Sequence, residues 1–205
     1  MKKIILTVAA VFALTFANAQ DTKEASTGEG FSSGDLYLSG TAGFNSSKTG
    51  DFKTDGWELS PGLGYMISDN LAIEGRLNFF GAKGPEDIDE TLYEVKRSGY
   101  GIAAGVKYYF TPASKFSLSI GGNVSYDSVK EELTGVPGDL TSKVIGFNVP
   151  LGLNYFVSND FALTADWGGF GYSSDDNGGN GNDKTTGFNL GLDMSSLSFG
   201  LLYKL

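Results

Sequence analysis

Four charged side chains, Glu58, Glu74, Arg76 and Lys107, could do chemistry, because each shares the small polar face of an extended segment with Gly, Ala, Ser or Asn. Two acids and two bases on such faces can form an ion-pair network or a gate for small ions, because buried charges must be paired to be tolerated. Acid–base catalysis is the less fitting use: the sequence contains no His, and no carboxylate pair stands out as acid and base. It contains no Cys either, which excludes disulfides, thiolate metal sites and a lipid-anchored cysteine. The run Ser174 to Asp183 offers oxygen ligands at spacings that calcium uses, but lacks the closing bidentate Glu of an EF-hand loop and reads as a flexible, solvated loop. Glu86 to Glu90 reads the same way. The expectation is no enzyme, no cofactor, no metal, and a structural network of the four charges filling an interior.

Such charges need elements that place them, and the periodicity supplies strands. Trp57, Leu59, Pro61, Leu63 and Tyr65 alternate with Glu58, Ser60, Gly62 and Gly64. Leu71, Ile73, Gly75, Leu77 and Phe79 alternate with Ala72, Glu74, Arg76 and Asn78. The pattern recurs over 100–110, 116–126, 147–157 and 161–167, with a first strand over Leu36 to Phe44 and a last over about Thr186 to Leu205. The count is eight. A parity slip between Met194 and Leu197 reads as a bulge, or as a turn that makes the count ten. Pro61 and Pro150 each remove a ladder donor, so bulges are expected there.

Three connections are short, at 68–70, 111–115 and 158–160; four are long and polar, at about 46–54, 83–91, 128–142 and 173–184. Short turns at one rim and long loops at the other are the arrangement of outer-membrane barrels. A soluble barrel would turn its apolar face inward. Here Glu58, Glu74, Arg76, Lys107 and Asp166 all lie on the small polar face, and the opposite face of these windows carries no charge. Its bulky residues exceed what the inside of an eight-stranded barrel can hold, so they point into lipid. Aromatics on that face gather at strand ends: Tyr65, Tyr108, Phe110, Phe116, Tyr155 and Phe161 beside the short turns, and Phe44, Trp57, Phe79, Tyr126, Phe147 and Trp167 towards the long loops. These are the two girdles expected at the membrane interfaces.

At the N-terminus, Lys2 and Lys3, the apolar run Ile4 to Phe16 and Ala17-Asn18-Ala19 form a secretory signal peptide, with cleavage expected before Gln20. The domain reading is a signal peptide over 1–19, a flexible periplasmic segment over 20–34 and a barrel over 35–205. Losing two lysines takes the formal charge from −9 to −11, which argues against nucleic acid as a partner.

The C-terminal Leu197-Ser-Phe199-Gly-Leu201-Leu-Tyr203-Lys-Leu205, apolar at every second position, is similar to the terminal strand that the outer-membrane assembly machinery recognises. With the export signal and the alternating connections, the chain resembles the small OmpA/OmpX-like outer-membrane barrels over nearly all of its mature length. The resemblance implies a closed, all-β, antiparallel up-and-down barrel in the Gram-negative outer membrane, with lipid and the assembly machinery as partners. The functional expectation is a structural or interaction role through the long outer loops; the alternative is a narrow porin-like or ligand-binding barrel. Loop partner, solute and oligomeric state are not written in the residues.

Overall fold

The computed structural model describes residues 30–50, 52–88, 91–179, 181–191 and 198–205. The signal peptide, residues 20–29 and the parity slip at 194–197 lie outside the described residues. Nine stretches of strand follow in order: β1 (Leu36–Thr49), β2 (Phe52–Met66), β3 (Leu71–Ile88), β4 (Thr91–Tyr109), β5 (Phe116–Leu133), β6 (Leu140–Phe156), β7 (Phe161–Asp175), β8 (Thr185–Gly191) and β9 (Ser198–Lys204). Every neighbouring pair is antiparallel from β1 to β7. The outer half of β7 pairs with β8 and its inner half with β9. These two pieces together occupy the eighth position, and β9 pairs with β1 to close the ring. The barrel is thus a closed antiparallel one of eight strands. Its ends meet at one rim, where the Leu205 N–H donates to the Leu36 carbonyl at 2.8 Å.

The alternation in the sequence becomes the two faces of this wall. Leu59, Ile73, Ile102, Val124 and Leu163 are all more than 45% exposed to the surroundings, whereas Tyr37, Met66, Tyr109 and Phe156 are wholly buried inside. A wall apolar outside and polar inside is stable only where its surroundings are lipid. Replacing Leu151 by Arg near the bilayer midplane should therefore destabilise the barrel by about 2–4 kcal/mol. Asn148→Arg, on the lumen face beside Asn123, should be limited only by fit. A folding titration in bilayers checks the pair, and equal tolerance at the two positions would contradict the face assignment.

Two of the three inner turns repeat one design. Ile67 and Ser68 both donate backbone N–H groups to the Leu71 carbonyl, and the Leu71 N–H donates back to Ser68 Oγ. Val157, Ser158 and Phe161 make the same three bonds at the equivalent place. The serine that opens each of these two turns satisfies a strand donor that has no ladder partner.

The outer connections differ from the sequence reading. Residues 46–49, 52–54 and 83–88 are not loop but continue the ladder, with Thr49 paired to Phe52 and Ile88 to Thr91. The third connection is likewise strand up to Leu133 and again from Leu140. A strand of 18 residues, such as β3, is about 60 Å long at the usual rise, against roughly 10 residues needed to cross a bilayer. The hairpins therefore rise well beyond the membrane.

The two prolines also part company. Opposite Pro150, β7 carries one extra residue: Val149 pairs with Phe170 and Leu151 with Trp167, leaving Gly168 and Gly169 to face the proline. Gly169 has φ +103°, and a Cβ there would collide with the Val149 carbonyl, so the bulge requires glycine. Pro61 makes no bulge. It pairs with Gly40 on β1, and on the β3 side the ladder lapses only between Leu59 and Gly62, with no change of register.

Candidate functional site in the barrel lumen

The lumen is layered from the periplasmic rim outward. Its floor is a disc of buried side chains, Tyr37, Met66, Tyr109, Phe156 and Leu202 among them, one from each of several strands. At its centre sits Phe31, 1% exposed, with its ring 4.5 Å from Tyr109, 5.0 Å from Phe156 and 5.2 Å from Tyr37. Phe31 precedes the first strand and is held in the mouth by its own backbone, which donates to the Pro112 carbonyl at 2.7 Å. Lys204 reaches the Gly30 carbonyl at 2.6 Å and Asp35 at 3.6 Å, and the Gly34 N–H donates to Met66. Of the segment read from composition as flexible up to residue 34, Gly30 and Phe31 are built into the floor, and Ser32, Ser33 and Gly34 are exposed at its edge.

Above the floor lies a charged layer. Lys107 is 3.2 Å from Asp166 and 4.0 Å from Glu74. The Tyr37 hydroxyl donates to Glu74 at 2.8 Å and lies 3.2 Å from the Tyr109 hydroxyl. Tyr37 fits because the residue beside it on β2 is Gly64, where a Cβ would run into its ring. Lys107 and Glu74 are 7% and 9% exposed, so each charge depends on its partner.

Of the four charges singled out in the sequence, Glu74 and Lys107 meet, while Glu58 and Arg76 stand apart. Arg76 is half-buried on β3, and among the described residues it makes no hydrogen bond or ion pair. Glu58 is exposed in the outer half of the lumen, lining a cavity of about 340 Å³ with Asn78, Phe80, Asp127, Val129 and Val144. There the Asn78 amide donates to Asp127 at 3.1 Å. Sequence reasoning placed Asp166 on the inward face but left it out of the network, and did not single out Tyr37 or Phe31. Tyr37 was legible as the inward neighbour of Leu36 and Leu38; Phe31 announced itself only as a lone aromatic in a polar segment.

The outer rim is also ordered by charge. Arg97 Nη2 and Nε bind Glu86 and Glu131, each at 2.7 Å, tying β3, β4 and β5 together beyond the membrane. Glu86 is therefore not part of a loose hydrated loop. In the last connection, Asp176 accepts the backbone N–H groups of Lys143 and Gly178, and Asp175 accepts that of Asn177 and the Ser142 hydroxyl. These carboxylates are occupied in shaping the loop, which is knitted rather than loose.

Among solved structures, the chain is similar to Neisserial surface protein A, with 21% identity, 83% of this chain and 97% of that one covered, and a TM-score of 0.49. It is also similar to the outer membrane protein OprG of Pseudomonas aeruginosa, at 17% identity over 87% and 98% of the two chains and a TM-score of 0.48. The attachment invasion locus protein Ail of Yersinia pestis follows, at 15% identity over 84% and 99% and a TM-score of 0.43. No curated protein sequence matches the chain. The model of the outer membrane protein beta-barrel domain matches residues 6–195, and with its lipid-facing wall and closed ladder the chain belongs to that outer-membrane family.

Proposed function

We propose that this protein is a non-enzymatic, non-conducting barrel whose working surface is the set of hairpins raised above the outer membrane, where they meet a partner in the envelope or on another surface. The observation that carries this reading is the floor. Phe31 and the side chains around it fill the periplasmic mouth, and the Lys107, Glu74 and Asp166 layer lies directly above. An interior of eight-strand width leaves no second route past such layers. What remains for exchange with a partner is the outer half, where long paired strands and the Arg97 ion pairs present a rigid surface. Insertion would rest on the assembly machinery reading the terminal strand that ends at Leu205.

The test is planar-bilayer recording on the refolded mature chain. Absence of steady conductance supports the reading; conductance of general-porin magnitude overturns it. A second reading, a ligand-binding barrel, is favoured by the cavity holding Glu58 and Asp127. It would take a small cation-bearing solute from outside, and Glu58→Gln with Asp127→Asn would abolish that uptake without changing the conductance.

A further inference from the structure

In the outer half of the barrel the hairpins are joined unequally. The ladder between neighbouring hairpins runs far out at three places, to Asp55 and Lys83 between β2 and β3, to Val95 and Leu133 between β4 and β5, and to Val144 and Asp175 between β6 and β7. At the fourth it stops at Thr41 and Gly200, where β1 meets β9. Among the described residues no pairing joins β8 to β1, and β8 pairs with β7 alone. Two strand edges are left, β1 from Ala42 to Thr49 running outward and β8 from Thr185 to Gly191 running inward. The cause lies in β7. Its bulge opposite Pro150 falls where β7 passes from β9 to β8, between Asp166, paired with Ser198, and Phe170, paired with Leu190. A bulge bends and twists the strand that carries it, so the outer half of β7 takes β8 off the line of β1.

Edges of this kind are ordinarily blunted by charge or proline. These two carry one lysine, Lys48, and no proline. They also hold the most exposed large apolar side chains among the described residues: Phe44 at 88%, Leu190 at 74% and Phe188 at 66%, with Phe199 of β9 at 67% below them. Phe44 pairs with Trp57 in the outer aromatic girdle, so the lower part of the edge lies where lipid supplies no hydrogen-bond partner to a free backbone. A strand can supply one.

Direction identifies which strand. β1 and β8 run in opposite senses, so a single strand inserted between them would be parallel to one of them, the weaker pairing. A second copy, related by a twofold axis along the membrane normal, offers its inward-running β8 to β1 and its outward-running β1 to β8. Both ladders are then antiparallel, like every other in the barrel, and no edge is left over. Charge agrees: in a chain of formal charge −9, two copies repel least where they meet through strands that carry one charge between them.

We infer that the protein forms a twofold dimer in the outer membrane, β1 of each copy paired with β8 of the other, with Phe44, Phe188 and Leu190 covered at the junction. The inference goes beyond the function proposed above and is independent of it. The floor and the charged layer lie in the inner half, where β9 and β1 close each barrel by itself.

The chain has no Cys, so disulfide trapping tests the dimer directly. The Ser46→Cys protein is refolded in phosphatidylcholine vesicles with an equal amount of Thr186→Cys, Phe188→Cys or Leu190→Cys, and oxidised with copper phenanthroline. All four positions lie on the outward faces of their strands, and a disulfide requires Cα atoms within about 7 Å. A linked dimer on a non-reducing gel is expected in at least one of the three mixtures and with none of the four proteins alone. Ile102→Cys mixed with Val124→Cys, on the far wall of the barrel, sets the level of chance collision. Adding Asn45→Lys and Asn189→Lys to both members of a mixture puts like charges on both edges and should lower the yield about fivefold. Yields at the collision level in all three mixtures of proteins that show heat-modifiable migration would overturn the dimer. So would an internal disulfide, without linked dimer, when Ser46→Cys and Leu190→Cys are carried on one chain, because β1 and β8 would then meet within a single barrel.

Discussion

Replacing Lys107 by Met should destabilise the barrel by about 3–5 kcal/mol, because it removes the ammonium that both Glu74 and Asp166 approach in a buried layer. Lys107 is 3.2 Å from Asp166 and 4.0 Å from Glu74, and Glu74 already uses one oxygen on the Tyr37 hydroxyl. Methionine keeps most of the volume, so the loss is electrostatic rather than one of packing. A urea titration of the refolded chain in phosphatidylcholine vesicles measures it. The control is the triple change Lys107→Met, Glu74→Gln and Asp166→Asn, which removes every charge of the layer and should recover most of the loss, since replacing a whole buried network is often close to neutral. If the single and triple variants were equally unstable, Lys107 would be filling space and the ion pairs would be incidental.

The contrast between Asp166 and Arg76 says what a sequence of this kind discloses. Parity assigns each side chain to a face with little ambiguity, since slipping a strand by one residue would turn its whole apolar set into the lumen. Glu58, Glu74, Arg76, Lys107 and Asp166 were all legible as inward for that reason. Which of them touch is decided by the stagger of strands around the ring. Lys107 on β4 and Asp166 on β7 meet across the lumen, a relation that no alternation within one strand encodes. The outer hairpins were misread for a different physical reason. Leu92, Glu94 and Lys96 face one side and Tyr93, Val95 and Arg97 the other, so apolar and polar residues no longer separate. Beyond the membrane both faces of a strand meet water or a neighbouring hairpin, and the ladder continues without the period that marks it. Pro61 and Pro150 look alike in sequence. Only Pro150 faces a Gly-Gly pair able to take the positive φ that a bulge of this kind requires.

Phe31→Ala should have the other large effect, on stability and on permeation together. The ring is 1% exposed and in contact with three aromatic neighbours, Tyr37, Tyr109 and Phe156. Truncating a buried Phe ordinarily costs about 3–5 kcal/mol, the upper part of the range applying where the surroundings cannot collapse. A closed barrel cannot collapse: its diameter is set by the ladder, so the walls of the vacated space stay where they are. The gap left in the floor is therefore open to water from the periplasmic side, with only the Lys107 layer above it. Small-ion conductance should appear in the variant where the parent shows none, and should rise further when Phe31→Ala is combined with Lys107→Met. Truncation separates this role from that of the residues before it. Removing 20–29 should leave heat-modifiable migration, urea midpoint and conductance unchanged, because among the described residues the plug is held at Gly30, through Lys204, and at Phe31, through Pro112. Removing 20–34 should reproduce the Phe31→Ala phenotype and lower stability further by freeing Lys204, whose ammonium group lies beside the Phe156 ring and loses its Gly30 acceptor. An unaltered urea midpoint and a silent bilayer for the longer truncation would mean that the floor is sealed by Tyr37, Tyr109 and Phe156 alone, and that Phe31 rests on it without closing it.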